Sequence, residues 1–531
     1  MTLLSTRGLN VSIGRKSVLK NVSFDIEPGE IVAVTGESGS GKSMTALSVM
    51  DLLPEGAQTV GEILLNGADL RKQSEAQMCE TRGQSIGMVF QEPMTALNPV
   101  KTIGDQVSET IYLHRPGVDA EAVTARTLSR VGLPPDRFPL TRYPHELSGG
   151  QRQRVVIAMA IACGPRLLIA DEPTTALDVT TQAQILDLLK RLTHEDGMGL
   201  LMITHDLAVV ADMADRILVM RDGEIVEHGE TQDLLRNMQH PYTKMLFHAS
   251  MHQAKLPTID PETDTETPLL SVNQACRDYR LPRSSLFARA KQFRAVDDVS
   301  FDIKRGERVG LVGESGCGKS TLTRAILGLE KVQSGQIQLD GAPVFAGRRP
   351  NLAVRRKMQV VFQDPYGSFN PRHRVERLIC EPFHLLSDAP TGNKRDELIA
   401  ETLEAVGLSP EDAQKYPHQF SGGQRQRIAI ARALIIRPEL VIFDEAVSAL
   451  DVSVRARILD LIAGLCRAYD LTYLFISHDL NVVRSITDRV MVMAAGKIVE
   501  SGPTAQVFDN PYHLYTKSLV AASPMLPALE S

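Results

Sequence analysis

Two glycine-rich segments of the sequence carry residue types that bind phosphate. GESGSGKS occupies residues 36–43 and GESGCGKS occupies residues 313–320, each after an apolar run and before a predicted helix. Glycines let successive backbone N–H groups curve around an anion, and the helix N-terminus adds a positive dipole end. The lysine supplies a charge for the β- and γ-phosphates, and the next hydroxyl is a ligand for Mg²⁺. A mere glycine-rich turn is the alternative, and two occurrences in the same context disfavour it.

The loops predict two sets of nucleotide-binding residues. The first set is Gly36, Ser38, Gly39, Ser40, Gly41, Lys42 and Ser43. The second set is Gly313, Ser315, Gly316, Cys317, Gly318, Lys319, Ser320 and Thr321. Ser43 and Ser320 are also predicted magnesium ligands.

Acidic pairs follow apolar runs in both halves, at Asp171–Glu172 and at Asp444–Glu445. An aspartate at the end of a buried strand can hold magnesium through water, and the next glutamate can orient or deprotonate an attacking water. The alternative is an exposed acidic pair that caps the following element. The sequence therefore predicts Asp171 and Asp444 as magnesium ligands and Glu172 and Glu445 as catalytic residues.

A histidine and a glutamine recur at matched positions in the two halves. His205 and His478 follow the acidic pairs at equal spacing, after apolar runs. We expect each to contact the γ-phosphate and to be catalytic, although a lone histidine is more often structural. Gln91 and Gln363 end predicted strands and could bind magnesium and nucleotide; a polar strand end is the alternative.

The segments LSGGQ and FSGGQ predict a second anion-binding surface in each half. Adjacent glycines and a serine at a helix N-terminus present backbone N–H groups to an anion. One half thus has two phosphate-binding faces, and two halves arranged head-to-tail would sandwich ATP between them. The residues concerned are Ser148, Gly149, Gly150, Gln151, Ser421, Gly422, Gly423 and Gln424.

These motifs occur in the same order twice, which indicates a duplicated domain. We assign residues 1–250 to the first domain and residues 269–531 to the second. Residues 251–268 hold three prolines and four acidic residues against one lysine, which predicts an extended, solvated linker.

Apolar runs such as IVAVTG at 31–36 and LLIAD at 167–171 read as buried strands followed by helices. Such runs predict an α/β fold with a parallel sheet covered on both faces. The segments at 121–133 and 397–408 have apolar residues at helical spacing and predict an inserted helical lobe.

The composition of the 531 residues narrows the class of protein. Hydrophobic residues make up 43% and charged residues 23%, which argues against a largely disordered chain. The net charge of −6 does not favour nucleic-acid binding. Six scattered cysteines, without a CxxC pair, fit reduced thiols better than disulfides, zinc or an iron–sulfur cluster. No stretch of about 18 consecutive apolar residues occurs, so no transmembrane helix is expected, and the residues MTLLSTRGLN at 1–10 do not lead us to expect secretion through a signal peptide.

Together these motifs resemble those of the ATP-binding cassette (ABC) ATPases, over nearly the whole chain. The resemblance implies two tandem P-loop NTPase domains, each with a RecA-like core, an antiparallel β subdomain and a helical lobe. It also implies that each composite site joins the phosphate loop of one domain to the SGGQ segment of the other. Segments resembling the D-loop lie at 174–178 and 447–451. Since both glutamates and both SGGQ segments are intact, we expect two hydrolytic sites that use ATP and Mg²⁺.

A narrower resemblance concerns the oligopeptide/dipeptide importers. EPMTALNP at 92–99, DPYGSFNP at 364–371, HPYTKML at 240–246 and YTKSL at 515–519 resemble segments of that subfamily. Two fused domains without a cysteine-rich tail are similar to ATPase subunits of microcin C-type peptide importers, with fused glutathione importer ATPases as a second candidate. No iron–sulfur cluster is expected.

The resemblance implies partners and a location. We expect two transmembrane permease subunits, a solute-binding protein that acts through the complex, and a peripheral position on the cytoplasmic face of the bacterial inner membrane. An aromatic residue usually stacks on adenine in this family, and Tyr279 fits that role in the second half. The first half offers Ile13. The basic segment 280–294 could contact lipid headgroups or permease, although a solvated loop is the simpler interpretation.

A soluble twin-cassette ATPase acting on ribosomes or DNA is the alternative. Translation factors of that class usually have a long charged helical linker and an NHLD-type D-loop. This chain has a short acidic linker and the segments TALD and SALD instead.

Overall fold

The computed structural model of the chain describes residues 2–91, 93–175, 177–257, 267–280, 292–347, 349–524 and 526. Two compact units are evident, the first built mainly from Met1–Met251 and the second mainly from His252–Leu450 and Val454–Ser523.

The first unit begins with an antiparallel hairpin and contains ten strands and ten α-helices among its described residues. Its strands are β1 (Leu4–Ile13), β2 (Lys16–Ile26), β3 (Ile31–Thr35), β4 (Ala57–Leu65), β5 (Ala68–Asp69), β6 (Ile86–Val89), β7 (Leu167–Asp171), β8 (Gly199–Ile203), β9 (Arg216–Arg221) and β10 (Glu224–Glu230). Its helices are α1 (Lys42–Val49), α2 (Glu75–Gln84), α3 (Pro93–Ala96), α4 (Ile103–His114), α5 (Ala120–Arg130), α6 (Gly149–Ile161), α7 (Val179–Asp196), α8 (Leu207–Met213), α9 (Thr231–Arg236) and α10 (Pro241–Ser250).

The second unit repeats this order with small additions. Its strands are β11 (Leu270–Arg280), β12 (Gln292–Ile303), β13 (Arg308–Val312), β14 (Ser334–Leu339), β15 (Ala342–Pro343), β16 (Phe345–Ala346), β17 (Arg349–Pro350), β18 (Met358–Val361), β19 (Leu440–Asp444), β20 (Thr472–Ile476), β21 (Arg489–Ala494) and β22 (Lys497–Pro503). Its helices are α11 (Lys319–Ile326), α12 (Leu352–Arg356), α13 (Pro365–Ser368), α14 (Val375–Ile379), α15 (Asn393–Ala405), α16 (Gly422–Leu434), α17 (Val452–Tyr469), α18 (Leu480–Ile486), α19 (Thr504–Asp509) and α20 (Leu514–Ala521).

Each unit contains a six-stranded sheet whose inner strands are parallel. The strand order is β10-β9-β3-β8-β7-β6 in the first unit and β18-β19-β20-β13-β21-β22 in the second. Only the pairings β9–β10 and β21–β22 are antiparallel within these sheets. The inner strands contain continuous apolar runs because both faces of the sheet are covered, so that side chains on both faces are buried. In β7, Leu168 and Ala170 pack into the core on one face, while Leu167 and Ile169 pack on the other.

A four-stranded antiparallel sheet completes the core of each unit, with orders β2-β1-β4-β5 and β12-β11-β14-β15. The predicted helical segments 121–133 and 397–408 form α5 and α15, in the inserted region before α6 and α16. The α/β fold predicted from the sequence is therefore confirmed: each unit has a parallel core, an antiparallel subdomain and a helical lobe. Among the described residues, none of the helices is both long and apolar enough to cross a bilayer.

The beginning of the expected linker packs against the second unit rather than extending into solvent. Nε2 of His252 lies 2.8 Å from Oδ1 of Asp460, and Ala254 is buried in the core of that unit. The carbonyl of Pro257 accepts a 2.7 Å hydrogen bond from the buried Arg308. The acidic residues behind the linker prediction all lie at positions 260–266, whereas residues 252–257 contact partners far away in sequence. Residues 258–266 of the expected linker and residues 281–291 of the basic segment lie outside the described residues.

Candidate active site

The phosphate loops connect a central strand to the first helix of each unit. In the first unit β3 ends at Thr35 and α1 begins at Lys42, with Gly41 in the left-handed region at φ +106°. A Cβ atom on Gly36 would lie 2.2 Å from the carbonyl oxygen of Met220, and the φ of Gly36 is +151°. Only glycine fits so close to another backbone, which fixes the path of the loop.

Both phosphate-loop lysines fold back onto their own loops. Nζ of Lys42 donates hydrogen bonds of 2.8 and 2.9 Å to the carbonyl oxygens of Gly36 and Glu37. Burial lowers the pKa of Lys42, while the carboxylates of Glu172 and Asp171 act in the opposite direction. The second unit repeats the arrangement at 2.7 and 2.8 Å, from Lys319 to the carbonyls of Gly313 and Glu314.

The aspartate of each acidic pair ends a buried parallel strand. Burial raises the pKa of Asp171, and a hydrogen bond with Ser43 opposes that effect. Oδ1 of Asp171 is buried and has no hydrogen-bond partner among the described residues. Burial likewise raises the pKa of Asp444, and the negative charge of Glu445 adds to the effect. A buried carboxylate oxygen that still lacks a partner, beside a serine hydroxyl, fits the oxygen ligands that Mg²⁺ prefers.

The glutamate of the first unit is held by three side chains. Oε2 of Glu172 accepts hydrogen bonds of 2.8 Å from Nε2 of Gln91 and from the hydroxyl of Thr175. Nδ1 of His205 lies 3.2 Å from Oε1. Although burial alone would raise the pKa of Glu172, the contacts with His205, Thr175 and Gln91 outweigh it and lower the pKa to about 2. Glu172 is therefore a carboxylate at neutral pH, which is the state that a general base requires.

The glutamate of the second unit has a different set of partners. Nδ1 of His478 lies 3.5 Å from Oε1 of Glu445, and this histidine is the main reason why the pKa of Glu445 is lowered. Nε2 of Gln363 donates a 3.3 Å hydrogen bond to the hydroxyl of Ser448. That hydroxyl donates in turn to the backbone carbonyl of Glu445, at 3.0 Å. Gln91 and Thr175 thus bond directly to the carboxylate of Glu172. The corresponding Gln363 and Ser448 bond to each other, and only Ser448 reaches Glu445, through its backbone carbonyl.

The SGGQ segments begin α6 and α16 with reciprocal caps. The hydroxyl of Ser148 accepts a 3.3 Å hydrogen bond from the backbone N–H of Gln151, whose side chain accepts a 3.0 Å bond from the N–H of Ser148. Ser421 and Gln424 form the same capping box. A Cβ atom on Gly150 would lie 2.2 Å from Cγ2 of Thr181. The serine and glutamine thus shape the helix start, and close packing against α7 requires the second glycine.

The residues expected beside adenine differ between the units. Tyr279, near the end of β11, donates a 2.6 Å hydrogen bond to Oε2 of Glu330, and Arg277 covers its ring at 5.0 Å from the centroid. The hydroxyl of Tyr279 also lies 3.5 Å from Oγ1 of Thr321 in the first turn of α11, just after the phosphate loop. Ile13 ends β1 at the matching place in the first unit.

Within each unit the fold places the loop lysine, the acidic pair and the histidine near the carboxyl ends of neighbouring parallel strands. The first unit adds Gln91 and Ser43 to this cluster through direct contacts with Glu172 and Asp171. Thr175 and Ser448, each three residues after its glutamate, lie within the segments that resemble the D-loop but were not predicted as site residues. Their repetition after both acidic pairs was the available signal.

Comparison with known proteins finds the same two family models in both halves of the chain. The family model described as ABC transporter matches residues 19–175 and 296–448. The model described as oligopeptide/dipeptide transporter, C-terminal region, matches residues 226–277 and 499–530. The Glutathione import ATP-binding protein GsiA of Salmonella paratyphi A is 47% identical over 561 residues, covering 98% of this chain and 90% of that protein. Its counterpart in Escherichia coli K12 is 46% identical, with the same coverage.

One solved structure is similar in fold to this chain over both of its domains. An archaeal ribosome recycling factor, aABCE1, solved in complex with the ribosomal stalk protein aP1, matches with a TM-score of 0.61 and 21% identity. The match covers 93% of this chain and 90% of that one, and at this identity it shows the fold alone. The family matches and the close relatives carry the assignment: this chain belongs to the ABC transporter family, as an ATPase with two cassettes in one polypeptide.

Proposed function

We propose that this chain is the energy-coupling ATPase subunit of an importer for glutathione or other small peptides. The names of its relatives and the oligopeptide/dipeptide type of its C-terminal regions support the substrate class. One observation supports hydrolysis above all others. In both cassettes a partly buried glutamate follows the strand-ending aspartate and contacts a histidine, at 3.2 Å in the first and 3.5 Å in the second.

The chemistry proposed for each cassette uses its own side chains in defined roles. Lys42 leaves the carbonyls of its loop to contact the β- and γ-phosphates of ATP, and Glu172 takes a proton from the attacking water. His205 contacts the γ-phosphate and keeps Glu172 oriented. Lys319, Glu445 and His478 do the same in the second cassette.

We assign the magnesium ion to the loop serine and the strand-ending aspartate of each cassette, which share a hydrogen bond in the first. Ser43 and Asp171 would hold it in the first cassette, joined by Gln91, and Ser320, Asp444 and Gln363 would hold it in the second. The ion neutralises charge on the β- and γ-phosphates when it is bound. The unpartnered buried oxygen of Asp171 supports this assignment.

The remaining expectations from the sequence complete the proposal. The SGGQ segment of each cassette contributes backbone N–H groups to the ATP of the other, so that binding closes the pair and hydrolysis reopens it. Two permease subunits convert this movement into transport at the cytoplasmic face of the inner membrane, and a solute-binding protein delivers the cargo to them. The alternative role on ribosomes or DNA is not favoured by the names of the close relatives.

The double substitution Glu172→Gln and Glu445→Gln tests hydrolysis. It should abolish ATP turnover by the purified chain while ATP binding persists, because the amide keeps the shape of the side chain and cannot accept the proton. Glu121→Gln, at an exposed position of α5, is the matched control and should leave turnover unchanged. Normal hydrolysis by the double variant would refute the assigned mechanism.

Uptake and purification test the importer. A strain that lacks the chain should lose uptake of labelled glutathione or dipeptides, and the wild-type gene should restore it whereas the double glutamine variant should not. Solubilised membranes should yield the chain with two permease subunits. Normal uptake in the deleted strain, or recovery of the chain with ribosomes, would count against the proposal.

A further inference from the structure

A tyrosine from the C-terminal region of each cassette reaches the phosphate loop. The hydroxyl of Tyr242, in α10, accepts a 3.0 Å hydrogen bond from the backbone N–H of Glu37. The hydroxyl of Tyr515, in α20, accepts the equivalent bond from Glu314 at 2.9 Å. Each acceptor lies more than 200 positions from its donor along the chain, so the repeated contact is a property of the cassette fold rather than of local sequence.

The same peptide group is bound from its other side by the phosphate-loop lysine. The N–H of Glu37 and the carbonyl of Gly36 belong to one peptide unit, and that carbonyl accepts from Nζ of Lys42. A trans peptide directs its N–H and C=O to opposite sides. The first peptide of the loop is therefore held between a tyrosine hydroxyl and a lysine ammonium. The second cassette repeats this arrangement between Tyr515 and Lys319.

The tyrosine is itself anchored to the edge strand of the core sheet. In the first cassette Glu227 of β10 accepts the backbone N–H groups of Gln239 and His240 just before α10. Nδ1 of His240 then accepts from the N–H of Tyr242 at 3.2 Å. These contacts fix the start of the helix and hence the direction of the tyrosine side chain.

The second cassette has the same anchor. Glu500 of β22 accepts the N–H groups of Tyr512 and His513, and Nδ1 of His513 accepts from Tyr515 at 3.2 Å. A carboxylate, a histidine cap and a tyrosine therefore recur in the same order. This repetition argues against a chance contact.

Tyr242 is buried and remains a neutral phenol at physiological pH. Its side chain is 4% exposed, and Arg221 lies over its ring at 5.0 Å from the centroid. Burial raises the pKa of Tyr242 to about 12. A neutral hydroxyl can accept from the loop without placing a negative charge beside the phosphates of ATP.

We propose that Tyr242 and Tyr515 are positioning residues that hold the first peptide of the phosphate loop in place during the nucleotide cycle. When the lysine leaves the loop carbonyls for the phosphates, the peptide loses one of its two restraints. The tyrosine then keeps the loop in its binding conformation. This gives the C-terminal regions a direct part in nucleotide affinity, whichever solute the importer carries.

Replacing each tyrosine by phenylalanine removes only the hydroxyl. In Tyr242→Phe, Tyr515→Phe and the double variant, the KM for ATP should rise by about three- to ten-fold, the range expected for one lost hydrogen bond. We expect kcat to fall by less than about two-fold, because neither hydroxyl contacts the reacting atoms. In the Glu172→Gln, Glu445→Gln background, the Kd for ATP should rise by a similar factor.

Tyr512→Phe is the matched control, because this tyrosine lies in the same region but is 69% exposed and bonds to the carbonyl of Val499. It should leave KM unchanged. Hydrogen exchange of peptides that contain the Glu37 and Glu314 amides should accelerate in the tyrosine variants and not in the control, and this readout remains usable if a variant loses activity.

The proposal is overturned if KM and Kd stay within about 1.5-fold of wild type in the double variant, or if the control shifts them equally. It is also overturned if the loop amides exchange at the wild-type rate. All these measurements use the purified chain and ATP. They therefore succeed or fail independently of which solute is imported.

Discussion

The two proposed catalytic glutamates are held by unequal sets of side chains. Glu172 accepts directly from Gln91 and Thr175, whereas the corresponding Gln363 and Ser448 bond to each other. A carboxylate with more donors is more firmly oriented and more strongly acidic. At the residue scale the cassettes are therefore chemically different although their motifs match letter for letter at the acidic pair.

The lowered pKa of Glu172 predicts how this residue contributes to stability as pH changes. Its pKa falls from 4.5 to about 2 on folding. Because the folded value is the lower one, the stabilising contribution is complete above the unfolded pKa and is lost as pH falls through the folded value. The difference in unfolding free energy between wild type and Glu172→Gln should decline as pH falls below about 4.5.

Urea unfolding at several pH values, followed by hydrogen exchange in peptides from β7 and β8, would measure that difference for the first cassette. Glu121→Gln provides the control for a glutamate substitution at an exposed position. A difference that stays constant down to about pH 3 would contradict the assigned hydrogen bonds.

Glycines shape the antiparallel sheets at the scale of the element. Gly335 in β14 has φ +80°, and a Cβ atom there would lie 2.2 Å from the carbonyl oxygen of Gln274 in the neighbouring β11. The pairing of β11 with β14 shifts register at this point. Gly61 occupies the matching place in β4, where a Cβ would lie 2.5 Å from the carbonyl of Gly8. Both sheets therefore require a glycine where two strands approach closely.

Gly335→Ala should destabilise the second cassette by about 3 kcal/mol or more, because it combines backbone strain with a clash against main-chain atoms. Gly341→Ala is the matched control. Its φ is +70° but no atom lies within 4 Å of the new Cβ, so we expect a loss of about 1 kcal/mol. Urea unfolding of the two variants measures both values, and equal losses would show that the close approach is relieved without cost.

The sequence predicted the elements better than the contacts between them. Continuous apolar runs identified strands such as β3 and β7 because a doubly covered parallel strand needs apolar residues on both faces. The contact of Tyr242 with Glu37 spans 205 positions, and nothing local to either residue marks it. Residues 252–257 fall within the predicted solvated linker, yet the carbonyl of Pro257 binds Arg308 of the second domain. Motifs thus located the proposed site residues, while their hydrogen-bond partners required the fold.

At the scale of the whole molecule, the two cassettes differ at single positions within otherwise matching motifs. The first phosphate loop has Ser40 where the second has Cys317, and Pro173 corresponds to Ala446. The thiol of Cys317 lies 3.9 Å from Nζ of Lys319. Burial raises the pKa of Cys317, and the charge of Lys319 opposes that effect. In the proposed site, a bulky group on this sulfur would clash with the phosphates of ATP.

Alkylation should therefore inactivate one of the two sites in each molecule. N-ethylmaleimide should react with the exposed Cys79 first and with Cys317 slowly, faster as pH rises, because only the thiolate reacts. Turnover should fall by at least about half when Cys317 is modified, and ATP should slow that modification. Cys317→Ser should be resistant, whereas Cys79→Ser should remain sensitive. Full activity after mass spectrometry shows an adduct on Cys317 would contradict the prediction.

Because both cassettes belong to one polypeptide, any substitution or label is present once per molecule and always in the same cassette. An ATPase assembled from identical subunits would carry such a label twice and could not report which site it came from. The chain has no tryptophan, so a single tryptophan in place of Ile13 at the end of β1 would be its only indole fluorophore. If Ile13 lies beside adenine as the resemblance implies, the emission of this tryptophan would follow nucleotide occupancy of the first cassette alone, and the filling and emptying of that one site becomes a directly observable quantity.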